Sequence, residues 1–240
     1  MGSSVVSEPP LLADVRALGL GELGRSSEGR PIWGGAFGGA AVVGGASAGA
    51  GPLLVVGGVH GDEPSSVEAV VALARRLRAG AGATPLVLVP ALNPDGLARG
   101  AKNSARDVDL NRNFPARSWR ATHAPGYFPG AAPLSEAETR CFAALVEQHA
   151  PRGVVAVHAP FACVNYDGPA AAWAEAVAAV CGWPARGDLG YPTPGSLGSW
   201  LGVDRGLPVL TLELPPGPHA AFRQQAAAAL DEAVRPRDLV

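Results

Sequence analysis

Short apolar runs alternate along this chain with longer segments in which apolar residues recur at helical spacing. The short runs are rich in valine and leucine, which is typical of buried strands. We predict such strands at residues 53–59, 85–92, 153–157 and 209–214. Residues 24–33 indicate a turn leading into a further strand, and the Gly/Ala-rich residues 36–51 predict a strand pair with a loose connection.

The longer segments predict helices at residues 65–79, 135–148, 169–180 and 220–234. In the first of these, apolar residues share one face while arginines occupy the other, and Pro64 suits the first turn. In the second, Ser135 is the predicted N-cap and Glu138 has the spacing of a capping box. Residues 196–203 are predicted to run from a loop into a helix.

This alternation of strands and helices indicates an α/β fold. Consecutive parallel strands need a crossover, which a helix supplies, so the pattern favours a mostly parallel sheet with helices on both faces. The length of 240 residues fits a single domain of this class. We therefore expect one domain over residues 1–240, with residues 1–20 as an entry segment.

Two consecutive segments interrupt the alternation. Residues 93–96 (NPDG) are a strong turn signal. Residues 97–130 lack clean periodicity and are predicted to be a long loop. Because loops of that length inside a compact domain are usually functional, this segment is a candidate for part of a site.

Composition and charge exclude several classes of protein. With 48% hydrophobic and 17% charged residues, the chain can bury a sizeable core, and wholesale disorder is not expected. A net charge of −2 without a long basic run argues against nucleic acid or an anionic membrane as partner. No run approaches the ~20 apolar residues of a membrane span, and the first residues lack a secretory signal. We therefore expect a cytoplasmic protein.

The three cysteines, Cys141, Cys163 and Cys181, are widely spaced. An odd number without CxxC spacing favours neither a disulfide framework nor a metal site. We expect them to be buried thiols in a reducing compartment.

The strongest chemical signal is a histidine and a carboxylate three residues apart, just after an apolar run. His60 and Glu63 can close on one metal ion from a loop at a strand end, and His158, at the end of another apolar run, is the candidate third ligand. Two nitrogens and one carboxylate leave a fourth position for water, as in catalytic zinc sites. This pattern predicts a zinc hydrolase.

Glu213 lies in a fourth apolar run, LTLELPP, with no basic residue nearby in sequence. A buried carboxylate without a partner is unfavourable, but beside an activated water it can take up a proton and pass it to a leaving nitrogen. The alternative is a salt bridge in the core. Sites in α/β sheets form beyond the carboxyl ends of strands, which is where all four of these residues fall.

The run VDLNRNFP (108–115) places a carboxylate, a guanidinium and two amides in one loop. Arg112 offers a planar fork suited to a substrate carboxylate, and Asn111 adds a donor. Asp109 can accept a proton from the far nitrogen of His60 and so orient that ligand. The alternative is a loop held by its own hydrogen bonds.

The remaining histidines and one tyrosine show little sign of a site on their own. Tyr191, by itself, is predicted to be a half-buried aromatic residue. Three histidines have no supporting neighbours and are assigned to the surface or the core: His123, His149 and His219.

Taken in order, these motifs resemble the zinc carboxypeptidase family of metallopeptidases. They are HGDE (60–63), NPDG (93–96), DVDLNRNFP (107–115), VHAP (157–160) and LELP (212–215), and the likeness covers residues 24–216. The resemblance implies the family fold, a mixed eight-stranded sheet between helices. It implies one zinc ion on His60, Glu63 and His158, Glu213 as general base and acid, and Asp109 as a support for His60.

For the substrate, the resemblance implies that Asn111 and Arg112 hold a carboxylate and that Tyr191 is a mobile residue that closes over the bound molecule. Segments such as GYPTPGSLGSW (190–200) look like those of a compact bacterial branch of the family. The reaction implied by that branch is cleavage of the amide between γ-D-glutamate and meso-diaminopimelate in a small murein tripeptide, during cell-wall recycling.

Two positions depart from the family pattern. Lys102 stands where an arginine usually polarises the scissile carbonyl, and Arg99 or Arg106 can reach in instead, depending on the path of the loop. Asp62 stands where digestive carboxypeptidases carry an arginine. We hypothesise that Asp62 favours a substrate with an extra amino group, as diaminopimelate has.

Three other functions fit parts of the pattern. A related deacylase branch of the succinylglutamate desuccinylase and aspartoacylase type shares the HxxE…H zinc site. An ordinary zinc carboxypeptidase on free peptides fits the carboxylate-binding residues. A peptide-binding module without catalysis would be consistent with the change to lysine at position 102.

Overall fold

The computed structural model describes residues 9–39, 51–80 and 84–239. The strands are β1 Gly21–Arg25, β2 Pro31–Phe37, β3 Leu53–Val56, β4 Leu86–Val89, β5 Gly153–His158, β6 Cys163–Asp167, β7 Ala185–Arg186 and β8 Val209–Glu213. The α-helices are α1 Pro10–Ala17, α2 Pro64–Arg78, α3 Pro94–Arg99, α4 Ala137–His149, α5 Ala171–Cys181 and α6 Arg223–Ala233. None of these described helices is long and apolar enough to cross a membrane.

The strands form one mixed eight-stranded sheet in the order β1-β2-β4-β3-β5-β8-β6-β7. The central strands β4, β3, β5 and β8 are parallel, whereas β2 joins β4 and β6 joins β8 in antiparallel fashion. The predicted α/β class and mixed, mostly parallel sheet are confirmed. Chain order reverses at β3, since β4 lies on one side and β5 on the other, and ligands in such sheets bind at this switch point.

Helices cover both faces of the sheet because successive strand residues point to opposite sides. On one face, Leu53 and Val55 of β3 pack with apolar residues of α1, α2, α5 and α6. On the other face, Leu54 and Val56 pack with α4, with the loop after α3 and with a helical segment near Trp200. The second face carries fewer helices, which leaves room for long loops above the strand ends.

The four predicted buried strands correspond to β3, β4, β5 and β8, each with slightly different bounds. The predicted turn and strand near residue 30 correspond to β2, but β1, β6 and β7 were not predicted. Of these, β1 is largely exposed and β7 has two residues, so neither leaves an apolar run in the sequence. The predicted strand pair falls mainly on residues 40–50, which lie outside the described residues, although its first residues belong to β2.

Residues 1–20 were expected to be an entry segment, and their described part contains a helix. Helix α1 begins at Pro10, and it buries Leu12 and Val15 in the core. The chain then enters the sheet as β1 at Gly21. The described part of the first 20 residues therefore packs against the fold through an amphipathic helix.

The NPDG turn prediction is wrong. Residues from Pro94 onward form α3, and the buried side chain of Asn93 accepts a hydrogen bond from Gly96 N at 2.8 Å. The side chain of Asn93 also donates to the carbonyls of Val59 and Lys102, at 3.3 and 3.2 Å. An N-cap and a turn share the same residue preferences, so the pattern alone did not separate them.

The predicted capping box of α4 is also wrong. The helix begins at Ala137, and neither Ser135 nor Glu138 caps it. Instead Asn113, from the long loop, accepts hydrogen bonds from Glu136 N at 3.2 Å and Thr139 Oγ1 at 2.7 Å. A side chain distant in sequence thus holds the start of α4, and no side chain caps the amides of its first turn.

The thiol prediction is confirmed for the two more buried cysteines. Cys163 and Cys181 are buried, Cys141 is half-buried, and all three are free. Burial raises the pKa of each of these thiols. They are therefore uncharged at neutral pH.

Candidate metal centre and active site

The site forms where three neighbouring parallel strands end. His60 and Glu63 follow β3, His158 is the last residue of β5, and Glu213 is the last residue of β8. The register pairs His158 with Glu213 directly. Because β3, β5 and β8 are adjacent and run the same way, these four residues meet at one edge of the sheet.

Two histidines and a glutamate form a cluster that can hold a metal ion. One ligand atom from each of His60, Glu63 and His158 lies within 4.8 Å of the others. The Nδ1 atom of His60 is 2.7 Å from Glu63 Oε1, and the Nδ1 atom of His158 is 3.1 Å from Glu63 Oε2. Two imidazole nitrogens and one carboxylate are the donor set of catalytic zinc.

The protonation states of this cluster follow from burial and mutual attraction. Burial opposes the charged form of His60, but hydrogen bonds to Asp109 and Glu63 outweigh it and raise the pKa of His60 to about 9. Burial would likewise raise the pKa of Glu63, yet His158 and His60 outweigh it and lower that pKa to about 2. Glu63 is therefore ionised, which is the form of a carboxylate that binds a metal ion.

Asp109 bridges the cluster and a lysine. Its Oδ1 atom is 3.1 Å from His60 Nε2, and its Oδ2 atom accepts a hydrogen bond from Lys102 Nζ at 2.7 Å. Burial opposes ionisation, but the hydrogen bond to His60 and the charges of His60, Arg112 and Lys102 keep the pKa of Asp109 well below its usual value. The contact to the far nitrogen of His60 is the one that the proposed orienting role requires.

Glu213 faces the cluster with an unengaged oxygen. The residue is 5% exposed, and its Oε2 atom is buried without a hydrogen-bond partner among the described residues. Burial raises the pKa of Glu213, Glu63 adds to the rise, and His158 opposes it. The core salt bridge considered from the sequence is absent from the described residues. A carboxylate in this state is suited to accept and return a proton.

Arg112 and Asn111 present donors to the cavity beside the cluster. Arg112 is 5% exposed and makes no salt bridge to a carboxylate within the described part of the chain, although its Nη1 atom donates to Asn111 O at 2.7 Å. The Oδ1 atom of Asn111 accepts from Leu197 N at 3.0 Å, so its amide hydrogens are left for another acceptor. The loop uses some donors internally but leaves the guanidinium of Arg112 without a salt bridge among the residues that the structure describes.

Of the three cations considered for the carbonyl oxygen, Lys102 is the one that lines the cavity. Its ammonium group contacts Asp109, donates to Gly126 O at 3.1 Å and lies 3.7 Å from the ring centre of Tyr127. Two of its three hydrogens are thus used, and one remains for a substrate oxygen. Arg99 and Arg106 do not line the cavity, since they lie 3.5 Å from Glu28 and 3.8 Å from Glu136 respectively.

Tyr191 and Asp62 lie at the rim of this cavity, whose volume is about 290 Å³. Tyr191 is 37% exposed, and its ring centre is 6.1 Å from that of Phe161. Burial raises the pKa of Tyr191, and nearby Arg112 opposes the rise. Asp62 is exposed. The cavity is therefore lined by every residue to which a site role was given from the sequence, except Asp109, which contacts the far nitrogen of His60.

The three histidines left outside the prediction lie away from the cluster. His123 is exposed, His149 is buried at the end of α4, and the Nδ1 atom of His219 lies 3.2 Å from Glu68 Oε2. None of them belongs to the metal cluster of the described residues.

Sequence reasoning missed several residues that line the cavity, among them Tyr127, Asn165 and Asp167. Tyr127 packs beneath Lys102 and Arg112, and Asn165 and Asp167 project from β6. The alternation in CVNYD (163–167) was a weak strand signal that would have placed Asn165 and Asp167 on one face. No comparable signal marked Tyr127, because its loop has no period.

Known proteins resemble this chain in sequence. A family model described as zinc carboxypeptidase matches residues 16–172. The murein peptide amidase A of Escherichia coli K12 is 36% identical over 175 residues, which is 68% of this chain and 71% of the relative. The protein of the same name from Vibrio campbellii is 34% identical over 176 residues, which is 68% of this chain and 69% of the relative.

Solved structures resemble this chain in fold. The murein-tripeptide amidase MpaA from Escherichia coli O157 aligns with a TM-score of 0.69 and 30% sequence identity, over 91% of this chain and 93% of that chain. Bovine thrombin-activatable fibrinolysis inhibitor aligns with a TM-score of 0.75 and 15% identity, over 93% of each chain. At that lower identity the second likeness concerns the fold alone.

Proposed function

Since this chain belongs to the zinc carboxypeptidase family, we propose that it cleaves the amide between γ-D-glutamate and meso-diaminopimelate in murein tripeptide, during recycling of cell-wall peptides. It is a zinc-dependent hydrolytic enzyme by family and by its histidine–glutamate cluster. The observation that carries the proposal is the meeting of this cluster, Glu213 and the uncompensated Arg112 in one cavity. Similarity to proteins named murein peptide amidase A supports the choice of bond.

Each residue of the cavity has a separate role in the proposed reaction. Zinc held by the cluster would supply a Lewis acid and an activated water. Arg112 and Asn111 hold the carboxylate of the departing amino acid and so place its amide bond near Glu213. Glu213 takes a proton from the water as it attacks the amide carbon, and then delivers that proton to the departing amine. Tyr191 covers the substrate from the rim.

Lys102 is assigned to the oxygen of the scissile carbonyl, where negative charge develops. Replacing it with methionine is expected to lower kcat about 10²-fold, because one charged donor to such an oxygen is lost. The Lys102→Arg variant is expected to retain most activity, since it keeps the charge. Steady-state kinetics on the tripeptide would measure both effects.

Zinc content must be determined for each of these variants, because Lys102 also contacts Asp109 behind His60. The matched controls are Arg99→Met and Arg106→Met, which remove cations that lie outside the cavity. A zinc-loaded Lys102→Met protein with full activity would contradict the assignment.

A panel of substrates tests the proposed function. The zinc-loaded protein is incubated with L-Ala-γ-D-Glu-meso-diaminopimelate, an α-linked dipeptide and N-acetylaspartate, and the products are identified by mass spectrometry. We expect free diaminopimelate and L-Ala-D-Glu from the first compound and little turnover of the others. Turnover of the α-linked dipeptide alone would indicate an ordinary carboxypeptidase, and turnover of N-acetylaspartate alone a deacylase.

A further inference from the structure

Lysine occurs once in this chain, and it occurs at the active site. Of the 19 lysine and arginine residues, Lys102 is the only lysine. An ammonium group is a point charge on a flexible stem, whereas a guanidinium is a rigid planar fork. A charge stabilises a transition state best when it is held in place before the reaction. A lysine assigned to the carbonyl oxygen therefore needs contacts that fix its ammonium group.

The ring of Tyr127 supplies such a contact. Lys102 Nζ lies 3.7 Å from the centre of this ring, well within the about 6 Å over which a ring face attracts a cation. The attraction acts between the whole charge and the quadrupole of the ring, so it needs no particular hydrogen of the ammonium group. Asp109 Oδ2 and Gly126 O each accept one hydrogen, and the third stays available for an oxygen of the substrate.

Backbone hydrogen bonds fix the segment that carries Tyr127. On one side of it, Gly126 O accepts a hydrogen bond from Lys102 Nζ at 3.1 Å. On the other side, Phe128 O accepts a hydrogen bond from Asp109 N at 2.8 Å. The ring therefore stands on backbone that is bonded to the lysine and to the lysine's counter-ion. Its own side chain is 39% exposed, so loss of the ring should leave this backbone in place.

Arg112 also lies near this ring but has other contacts that hold it. The central carbon of its guanidinium is 5.2 Å from the ring centre of Tyr127. Its Nη1 atom donates to Asn111 O at 2.7 Å, and the residue is 5% exposed. Loss of the ring should therefore affect Lys102 more than the arginine assigned to the substrate carboxylate.

We propose that Tyr127 is a positioning residue, which holds the ammonium group of Lys102 where the oxygen of the scissile carbonyl becomes negative. This inference rests on the proposed function and deepens it by naming the residue through which the long loop assists the reaction. Tyr127 acts through Lys102 and not by contact with the reacting atoms. Because the charge on that oxygen develops only in the transition state, loss of the ring should lower kcat rather than raise KM.

Replacement of the ring tests this role. Tyr127→Leu keeps apolar bulk without a ring face, and we expect kcat to fall about 10-fold, or about 1.4 kcal/mol, with KM changed by less than about twofold. Tyr127→Phe keeps the ring face and is expected to retain most of kcat. The matched control is Phe128→Leu, which removes a neighbouring ring whose centre lies 5.2 Å from that of His123. Unaltered kcat in Tyr127→Leu, or an equal loss in Tyr127→Phe, would overturn the proposal.

A double variant separates positioning from a general disturbance of the loop. If Tyr127 acts through Lys102, loss of the ring has no further effect once the lysine is gone. We therefore expect kcat of Lys102→Met/Tyr127→Leu to match that of Lys102→Met to within about twofold. If the ring only supports the fold of the loop, the two losses multiply, and that result would refute the positioning role. Zinc content is measured for each protein, because Asp109 also contacts His60.

The single lysine allows the contact to be observed without turnover. Protein labelled with ε-¹³C-lysine gives the methylene signal of Lys102 alone, and nuclei above the face of an aromatic ring are shifted upfield. We expect an upfield shift in the unaltered protein and in Tyr127→Phe, and its loss in Tyr127→Leu. An unshifted signal in the unaltered protein would show that the ring does not hold the lysine, whatever bond the enzyme cleaves.

Failure of this proposal can be distinguished from failure of the proposed function. The variants are assayed with all three compounds of the substrate panel, so their kcat values are compared on whichever bond the protein cleaves. Turnover of the α-linked dipeptide alone would refute the proposed function, while a 10-fold loss in Tyr127→Leu on that dipeptide, about the size given above, would still support the role of Tyr127. Full activity of zinc-loaded Lys102→Met would refute the assignment of the lysine and, with it, the role of Tyr127.

Discussion

Replacement of Glu213 with glutamine is expected to lower kcat by about 10³-fold or more while zinc stays bound. Glutamine has the same shape but cannot accept a proton from water or deliver it to a leaving amine, and a group in both roles contributes in this range. The Oε2 atom of Glu213 is buried without a partner among the described residues, so the substitution breaks no hydrogen bond of that atom. The loss should therefore be chemical rather than structural.

Steady-state kinetics and metal analysis of the same preparation measure this effect. The thermal midpoint of Glu213→Gln should equal or exceed that of the unaltered protein, since a buried charge has been removed. Cys163→Ala, opposite Glu213 on β6, is a suitable control for disturbance of the same sheet edge. Full activity of a zinc-loaded Glu213→Gln protein would rule out Glu213 as the general base.

Removal of zinc is expected to abolish activity altogether and to lower the thermal midpoint. Binding of a ligand to the folded state alone stabilises it, and zinc at 100 times its Kd would raise the midpoint by about 5–10 °C. His158→Ala removes one of the two imidazole ligands and is expected to lose both the bound zinc and this stabilisation. Zinc should restore activity to the chelated unaltered protein but not to this variant.

The matched control is His123→Ala, which removes an exposed histidine outside the cluster. It is expected to bind one zinc ion per chain and to show the same zinc-dependent shift in midpoint as the unaltered protein. Elemental analysis measures the zinc content, and differential scanning fluorimetry measures the shift in thermal midpoint. Stoichiometric zinc in His158→Ala would show that His158 is not a ligand.

Much of the fold was predictable because its signals are local. The buried parallel strands β3, β4, β5 and β8 are continuous apolar runs, and α2 has a clear apolar face with a proline at its start. Strands β1 and β6 were not predicted, for a related reason. The residues of β1 are largely exposed and those of β6 alternate in polarity, so neither forms an apolar run.

Predictions of turns and helix caps from the local sequence failed where a side chain distant in sequence forms the decisive hydrogen bond. Asn93 caps α3 because its amide also binds the backbone of two other segments, and Asn113 binds Glu136 N at the start of α4, which has no cap from Ser135. In both cases the residues permitted two local structures, and a tertiary hydrogen bond selected between them. The sequence contained the residue types that both local structures use, but it did not show which of the two structures forms.

The amino-acid sequence by itself determined which residues can bind zinc and move a proton, because donor chemistry belongs to the residue type. It also placed His60, Glu63, His158 and Glu213 at strand ends, because apolar runs mark where buried strands stop. Only the tertiary structure decided that Lys102 rather than Arg99 or Arg106 faces the cavity, and that Asp167 of β6 lines it. Those positions depend on how an aperiodic loop folds and on how β6 pairs with β8, and such long-range contacts leave no repeating pattern along the chain.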